Sequence, residues 1–419
     1  MAIALWSAVM VIVNVAFTTG LMAQTSGPTA GTNSVNGALP MVILESKEPI
    51  VGDQRVPCTC QFLFPADVPA AGTNVLPGLI KLHGATSQAY AKKSFAVSLD
   101  VPLVLLGMRT NAHWILNASY IDRSLMRHKL AYDLFKSLST DDAKRYAVSS
   151  EFVEVRLNHR YHGVYLLMER VDRALLDLSA YQSNATSHAC IYKAIDHAAN
   201  FARAGHAGFE QREPEPLTGV WWQPLDHFNR FVSSAPDLEF FHPHTGIASR
   251  LDLDNATDFL LLVLLTANMD GITKNFILAR DALTTATPHP RFFFAPWDYD
   301  GTFGRNWDAT PVEPTVWLSN HLFDRLLGDA AWRDRLAARW KQLRESQFSV
   351  KTIQARIDSN AGVLAEAIQR NETRWPARNG PYPDKLSFTE DVAQMKSWIQ
   401  ARVQWLDAEI QRRTGAPAK

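Results

Sequence analysis

The sequence predicts an α+β protein, β-rich in its first half and mainly helical in its second. Three observations point there. Between residues 41 and 203, short apolar or alternating runs recur, bounded by Gly, Pro and Asp. Beyond residue 224, Leu, Trp and Ile repeat at helical spacing. Between these halves lies 204–224, rich in Gly, Pro and Glu, which reads as a connecting loop. With 419 residues, 47% of them hydrophobic, the chain can bury a sizeable core as one bilobal unit or two ordinary domains.

Residues 2–23 are almost wholly apolar and uncharged, and a Thr/Ser/Gly/Asn-rich stretch follows to 37. This reads as an export signal cut near Ala23, or as an uncleaved membrane anchor long enough to span. No Lys or Arg precedes the run, and Leu21 stands where a signal would carry a small residue. The expected location is outside the cytoplasm (secreted, periplasmic or cell surface), with membrane contact only if the segment stays uncleaved. Residues 24–40 are linker by composition.

Runs at 41–44, 60–64, 79–83 and 94–99 predict strands. The segment 84–93 reads as a Gly/Ser/Thr turn followed by Lys92 and Lys93, able to cover phosphates with N–H groups and then neutralise them, or as an ordinary hairpin with a solvated lysine pair. Residues 122–138 have helical periodicity through Leu125, Leu130, Leu134 and Leu138, with Asp122 as expected N-cap. Strands at 151–157 and 161–168, joined at 158–160, predict a hairpin. A short helix to about Tyr181 and a strand at 191–193 are expected next. The β-rich lobe thus runs 41–203 and the helical lobe 225–415. The latter holds helices at 225–234 and 254–267, a hairpin of 276–279 with 291–294, and core helices at 321–346, 350–373 and 387–413.

The chain carries 42 basic and 42 acidic side chains, so no electrostatic case for nucleic acid exists. Cys58 and Cys60 are expected on opposite faces of extended chain, unbridged, leaving a bridge from either to Cys190 open in an oxidising compartment. The 13 His show no convincing metal spacing.

The chemistry concentrates in residues 268–304. Asp270 is followed five positions later by Asn275, and an aromatic run ends in Asp298-Tyr299-Asp300-Gly301. Carboxylates and a carboxamide on neighbouring turns suit a hard cation such as Mg²⁺. They also suit phosphoryl transfer, where one Asp accepts a hydroxyl proton while an Asn and a second Asp hold metal on the phosphates. Protein kinases space their catalytic-loop Asp and Asn in this way. The bland reading is a pair of helix-end and turn residues, since Asp-Gly mostly marks turns. A Ca²⁺ loop of EF-hand type is unsupported, because the Gly comes too early and no Glu follows at the needed distance.

Five blocks in order resemble the CotH (spore coat protein H) family of atypical secreted or surface protein kinases. They are 83–95; 114–117 with 122–127; 154–158 with 161–169; Asn268-Met269-Asp270 with Asn275; and 296–303. Arg370, Asn371 and Trp375 also look familiar. The resemblance implies a two-lobed atypical protein-kinase-like fold with ATP between the lobes and Mg²⁺ or Mn²⁺ as cofactor. It makes Asp270 the catalytic Asp and Asn275, Asp298 and Asp300 the metal ligands, with Asp300 second or alternative. Lys93 would meet the phosphates, Gly84, Thr86 and Ser87 would form the turn over them, and Glu169 would lie near the adenine. The family usually carries Arg-Gly-Asn-Ser-Ser where this chain has His83-Gly84-Ala85-Thr86-Ser87, which weakens a phosphate contact there. No Glu partner for Lys93 is evident by spacing; Glu154 sits on a strand.

The expected function is ATP- and Mg²⁺-dependent phosphorylation of Ser or Thr on exported or surface proteins. The alternative is a non-catalytic surface or structural binding protein on a degenerate kinase fold. A third is a metal-dependent phosphohydrolase.

Overall fold

Alternation along Val56–Leu63 buries Val56, Cys58, Cys60 and Phe62 and leaves Pro57 and Thr59 outside, the pattern of a strand with one face on a core. In the computed structural model, which describes residues 39–64, 74–285 and 287–415, this strand is the second of a closed seven-stranded barrel. The expected signal or anchor, and the linker up to residue 38, lie outside the described residues. Among the described residues no helix is long and apolar enough to cross a membrane.

The barrel strands are β1 (Met41–Glu45), β2 (Val56–Leu63), β3 (Leu76–His83), β4 (Ser94–Leu103), β5 (Asn111–Asn117), β6 (Ser150–Leu157) and β7 (Arg160–Glu169). Their order is β1-β2-β3-β4-β5-β7-β6, and β1 closes it by pairing parallel with β6. The interior holds Leu44, Cys60, Ile80, Val97, Trp114, Val155 and Leu167. Cys58 and Cys60 both point inward with Sγ atoms 3.7 Å apart, because a strand's two-residue period returns i and i+2 to one face, contrary to the expectation of opposite faces. All three cysteines are buried and free. The β6–β7 hairpin turns on Asn158 and His159, with φ of 47° and 64°, the pair of positive values a tight two-residue turn requires.

A second sheet, ordered β11-β10-β8-β9, uses β8 (Cys190–Ala194), β9 (Phe209–Glu213), β10 (Phe276–Arg280) and β11 (Phe293–Pro296). The predicted connecting loop at 204–224 thus carries β9, which pairs with β8, while β8 pairs with β10 from beyond it. The sheet spans the expected lobe boundary.

The helices are α1 (Arg127–Lys136), α2 (Gln223–Ser234), α3 (Asp237–Phe240), α4 (Leu253–Thr266), α5 (His321–Leu327), α6 (Ala330–Arg344), α7 (Val350–Arg374) and α8 (Phe388–Thr414). Residues 255–266 of α4 are all buried, as expected of a helix apolar all round, and it packs in one core with Phe276, Phe294, Phe323, Leu336 and Leu406. Its N-cap is Asp252, whose carboxylate accepts from the N–H groups of Asp254 and Asn255.

Three helix expectations change. α1 begins at Arg127 rather than Asp122, because Leu125 is left-handed (φ 59°) and the Asp122 carboxylate instead accepts from the Ser124 and Arg127 N–H groups. No helix forms between Asp172 and Tyr181, where Asp177 is left-handed. The 321–346 stretch breaks at Gly328, and Asp329 caps a new helix by accepting from Trp332 N–H.

Candidate active site

Two turns in sequence order carry the predicted chemistry, and the second sheet brings them to one cleft. α4 ends in left-handed Ala267, the Asn268 carboxamide oxygen accepts from Gly271 N–H at 2.9 Å, and the turn that results presents Asp270. Asn275, with φ 58°, follows and donates its N–H to the Ala194 carbonyl of β8 as the chain enters β10. β11 runs antiparallel beside β10 and delivers Asp298, also left-handed at 60°, whose N–H donates to the Tyr132 hydroxyl oxygen of α1. Gly301 is required by close approach, since a Cβ there would lie 2.8 Å from the Trp307 amide nitrogen.

Asp270, Asn275, Asp298 and Asp300 all line a cleft of about 790 Å³. Gly84, Thr86 and Ser87, from the turn between β3 and β4, line it from the barrel side. The expected turn is a short 3-10 segment, Thr86–Ala89.

His128, on the first turn of α1, completes the acidic end of the cleft. Its Nε2 is 3.5 Å from Asp298 Oδ1, and ligand atoms of His128, Asp298 and Asp300 all lie within 4.8 Å of one another. Enclosure works against every charge here, so the balance depends on neighbours. For His128 burial is outweighed by the Asp298 and Asp300 carboxylates, which hold its proton on more firmly than usual. For Asp298 enclosure is outweighed by the His128 ring, and the carboxyl stays below its ordinary range. Asp300 is pushed up to about 7 by enclosure first and by the Asp298 charge second. Two neighbouring carboxylates, one of them burdened by the other's charge, are a donor set a divalent cation would relieve, and the Asn275 carboxamide lines the same cleft.

Asp270 keeps a different company. Its carboxylate is 3.0 Å from Lys274 Nζ and 3.6 Å from His197 Nε2, while His197 Nδ1 is 2.7 Å from the Thr273 hydroxyl.

Two predicted nucleotide residues do not line the cleft. Lys93 points away from it and donates to the Gln88 carbonyl at 2.6 Å. Glu169 is buried, accepting from the N–H groups of Arg109 and Ser149 and pairing with Arg109 Nε at 3.1 Å. Glu154 is no lysine partner either: it binds Arg370 through two 2.8 Å bonds and accepts from the Tyr161 hydroxyl. Lys92 faces inward, donating to the carbonyls of Ala118 (2.8 Å) and Val164 and lying 3.4 Å from Asn371 Oδ1.

Sequence reasoning missed two cleft residues, His128 and Lys193. Lys193 stands opposite Ile277 in the β8–β10 pairing, with Nζ 5.2 Å from the centre of the Trp297 ring. His83 faces the same space, and burial with the nearby Lys193 charge pulls its pKa down to about 4, leaving a neutral ring there. The only sequence signal for Lys193 was its place on a strand; for His128 there was none by spacing.

Arg127, beside His128, is structural. It is buried, pairs with Asp122 and Asp391, and donates through Nε to the Thr302 carbonyl, so it ties α1, α8 and the loop after Asp300 together.

The inner spore coat protein H of Bacillus subtilis (strain 168) is 27% identical over 291 residues, 66% of this chain and 74% of that protein. The family described as CotH kinase protein matches residues 80–406, a span that holds the 84–87 turn, His128, Lys193 and the Asp270 and Asp298 turns. The chain, whose Asp270, Asn275, Asp298 and Asp300 all lie within that span, belongs to the CotH kinase family.

Proposed function

We propose that this protein is an ATP- and Mg²⁺-dependent kinase that phosphorylates Ser or Thr on exported or surface proteins. The barrel would be one lobe, the second sheet and helices the other, with the nucleotide between them. The observation that carries the reading is the convergence of Asp270, Asn275, Asp298 and Asp300 on one cleft that the 84–87 turn also lines. The spore coat assignment of the Bacillus subtilis relative and the apolar stretch at 2–23 support a site of action outside the cytoplasm.

Asp298, Asp300 and Asn275 would hold the metal, which when bound supplies positive charge against the phosphates. Asp270 takes the proton of the acceptor hydroxyl as its oxygen bonds to the γ-phosphorus and the bond to the β-γ bridging oxygen breaks, leaving ADP and a phosphoester. Lys274 holds the Asp270 carboxylate in place. His128 holds Asp298 at 3.5 Å, and the Tyr132 hydroxyl fixes the Asp298 backbone.

One observation favours the second reading, a non-catalytic surface protein on a degenerate kinase fold. Among the described residues neither Lys92 nor Lys93 has a carboxylate partner, so the lysine–glutamate pair that active protein kinases need is not formed there.

Labelled ATP tests the choice, with the chain from Gln24 onward and Mg²⁺ or Mn²⁺. Label on the protein or on an added exported protein, abolished by Asp270→Ala and by Asp298→Ala, is the expected result. Label that survives both substitutions would refute the site. ATP consumed with no labelled protein would indicate a phosphohydrolase.

A further inference from the structure

The cleft is lined by four lysines, Lys81, Lys92, Lys193 and Lys274. Three are committed. Lys81 pairs with Asp53 at 3.0 Å, Lys274 pairs with Asp270 at 3.0 Å, and Lys92 is held by two carbonyls and Asn371. Lys193 differs: among the described residues it has no hydrogen bond and no carboxylate within 4.0 Å, only the face of Trp297. The neighbouring Arg212, which also lines the cleft, is already paired with Glu210 at 2.9 Å. Lys193 lies over Trp297, the residue before Asp298, and lines the cleft with Asp298 and Asp300, so it borders the acidic end where phosphates would meet metal.

Burial disfavours the Lys193 ammonium, and the Asp298 charge only partly opposes that. A desolvated cation with no anion of its own is relieved by an anionic ligand. The contact with the Trp297 ring is to the ammonium itself, at 5.2 Å from the ring centre, and supplies no counter-charge, so the cation remains open to that ligand.

We propose that Lys193 is the phosphate-contacting cation of this cleft, binding the polyphosphate of the nucleotide in place of Lys93. The inference rests on the nucleotide reading above, but it makes its own claim: a specific site for polyphosphate on β8 rather than on the turn between β3 and β4.

The test is calorimetric titration of the full chain with Mg²⁺·ATP, Mg²⁺·tripolyphosphate and adenosine. Wild type is compared with Lys193→Gln, Lys193→Arg and Lys93→Gln. Loss of one charge-assisted contact predicts weaker binding of ATP and tripolyphosphate to Lys193→Gln by roughly tenfold to a hundredfold. Adenosine binding should be unchanged, Lys193→Arg should restore most of the loss, and Lys93→Gln should stay within about twofold of wild type. If Lys193→Gln melts early without ligand, Lys193→Met keeps an unbranched apolar side chain without the charge and repeats the comparison. Wild-type affinity for ATP in the charge-removed variant, or a loss confined to Lys93→Gln, overturns the proposal. Tripolyphosphate binding that depends on Lys193, with no gain from the nucleoside, upholds Lys193 and overturns the nucleotide reading. A wild type that binds neither polyphosphate overturns both.

Discussion

Asp298 and Asp300 are two residues apart and shift in opposite directions, because the His128 ring outweighs enclosure at Asp298 but not at Asp300, where the Asp298 charge adds to enclosure. Asp300, enclosed and facing the Asp298 charge, is pushed up to about 7 from an ordinary 3.8. An acid raised on folding contributes stability that is full below about pH 4 and is lost as pH rises through 7. Asp300→Asn removes that loss. At pH 8 the variant should melt about 2 °C or more above wild type, with the gap closing toward pH 4 in a scanning calorimeter. Saturating Mg²⁺ should narrow the gap at pH 8 by raising the wild type. A second residue-scale test concerns Asp391, which pairs with buried Arg127 and lies 3.6 Å from buried Arg305. Asp391→Ala removes the carboxylate they share and leaves Arg127 only Asp122 and Arg305 only Asp384, and chemical denaturation should show a loss of about 1–3 kcal/mol. At this scale the carboxylates and Asn275 were legible, since residue type and close spacing announce them. Lys92 and Lys93 were not separable, because they precede a strand and a one-residue slip there reverses which side chain faces in. His128 and Lys193 meet Asp298 across 170 and 105 positions, a proximity that tertiary pairing alone creates.

The last turns of α7 are fastened to the barrel, through Arg370 to Glu154 and through the contacts around Gly163. Asn371 Oδ1 accepts from Val164 N–H at 3.0 Å, Trp375 Nε1 donates to the His162 carbonyl at 2.7 Å, and between these contacts lies Gly163 with φ 112°. A Cβ on Gly163 would come within 2.7 Å of Asn371 Oδ1 and 2.9 Å of Trp375 Nε1. Gly163→Ala should therefore destabilise by about 1–3 kcal/mol through backbone strain alone, with the collision added, and urea unfolding would measure it. Retained stability would mean that α7 is not seated this way. The long helices were legible from periodicity, and Ser387 is the N-cap of α8 as Ser-x-x-Glu spacing allows, with Glu390 returning the bond. The start of α1 was not, because Asp122 looks like a cap and is recruited instead by the Arg127 guanidinium.

At the scale of the molecule, local patterns gave most strands and helices and the two hairpins of neighbouring strands, but not the long-range partners. The barrel closes through β1 and β6, more than a hundred residues apart, and the second sheet joins strands on both sides of a Gly- and Pro-rich segment that read as a loop. Composition identifies turns; it does not say that Phe209 and Gln211 between them are buried in a paired strand. That same long-range pairing sets Asp298 and Lys193 along one cleft, so fold and site stand or fall together. The most direct test is titration of Mn²⁺ with a non-hydrolysable ATP analogue, followed by the loss of free-Mn²⁺ electron paramagnetic resonance signal. Wild type should show saturable Mn²⁺·nucleotide binding, weakened at least about tenfold by Asp298→Asn, whose removed charge is worth that much at a metal contact. Saturable binding that Asp298→Asn leaves unchanged, or none at all in the wild type, would contradict a metal–nucleotide site in this cleft.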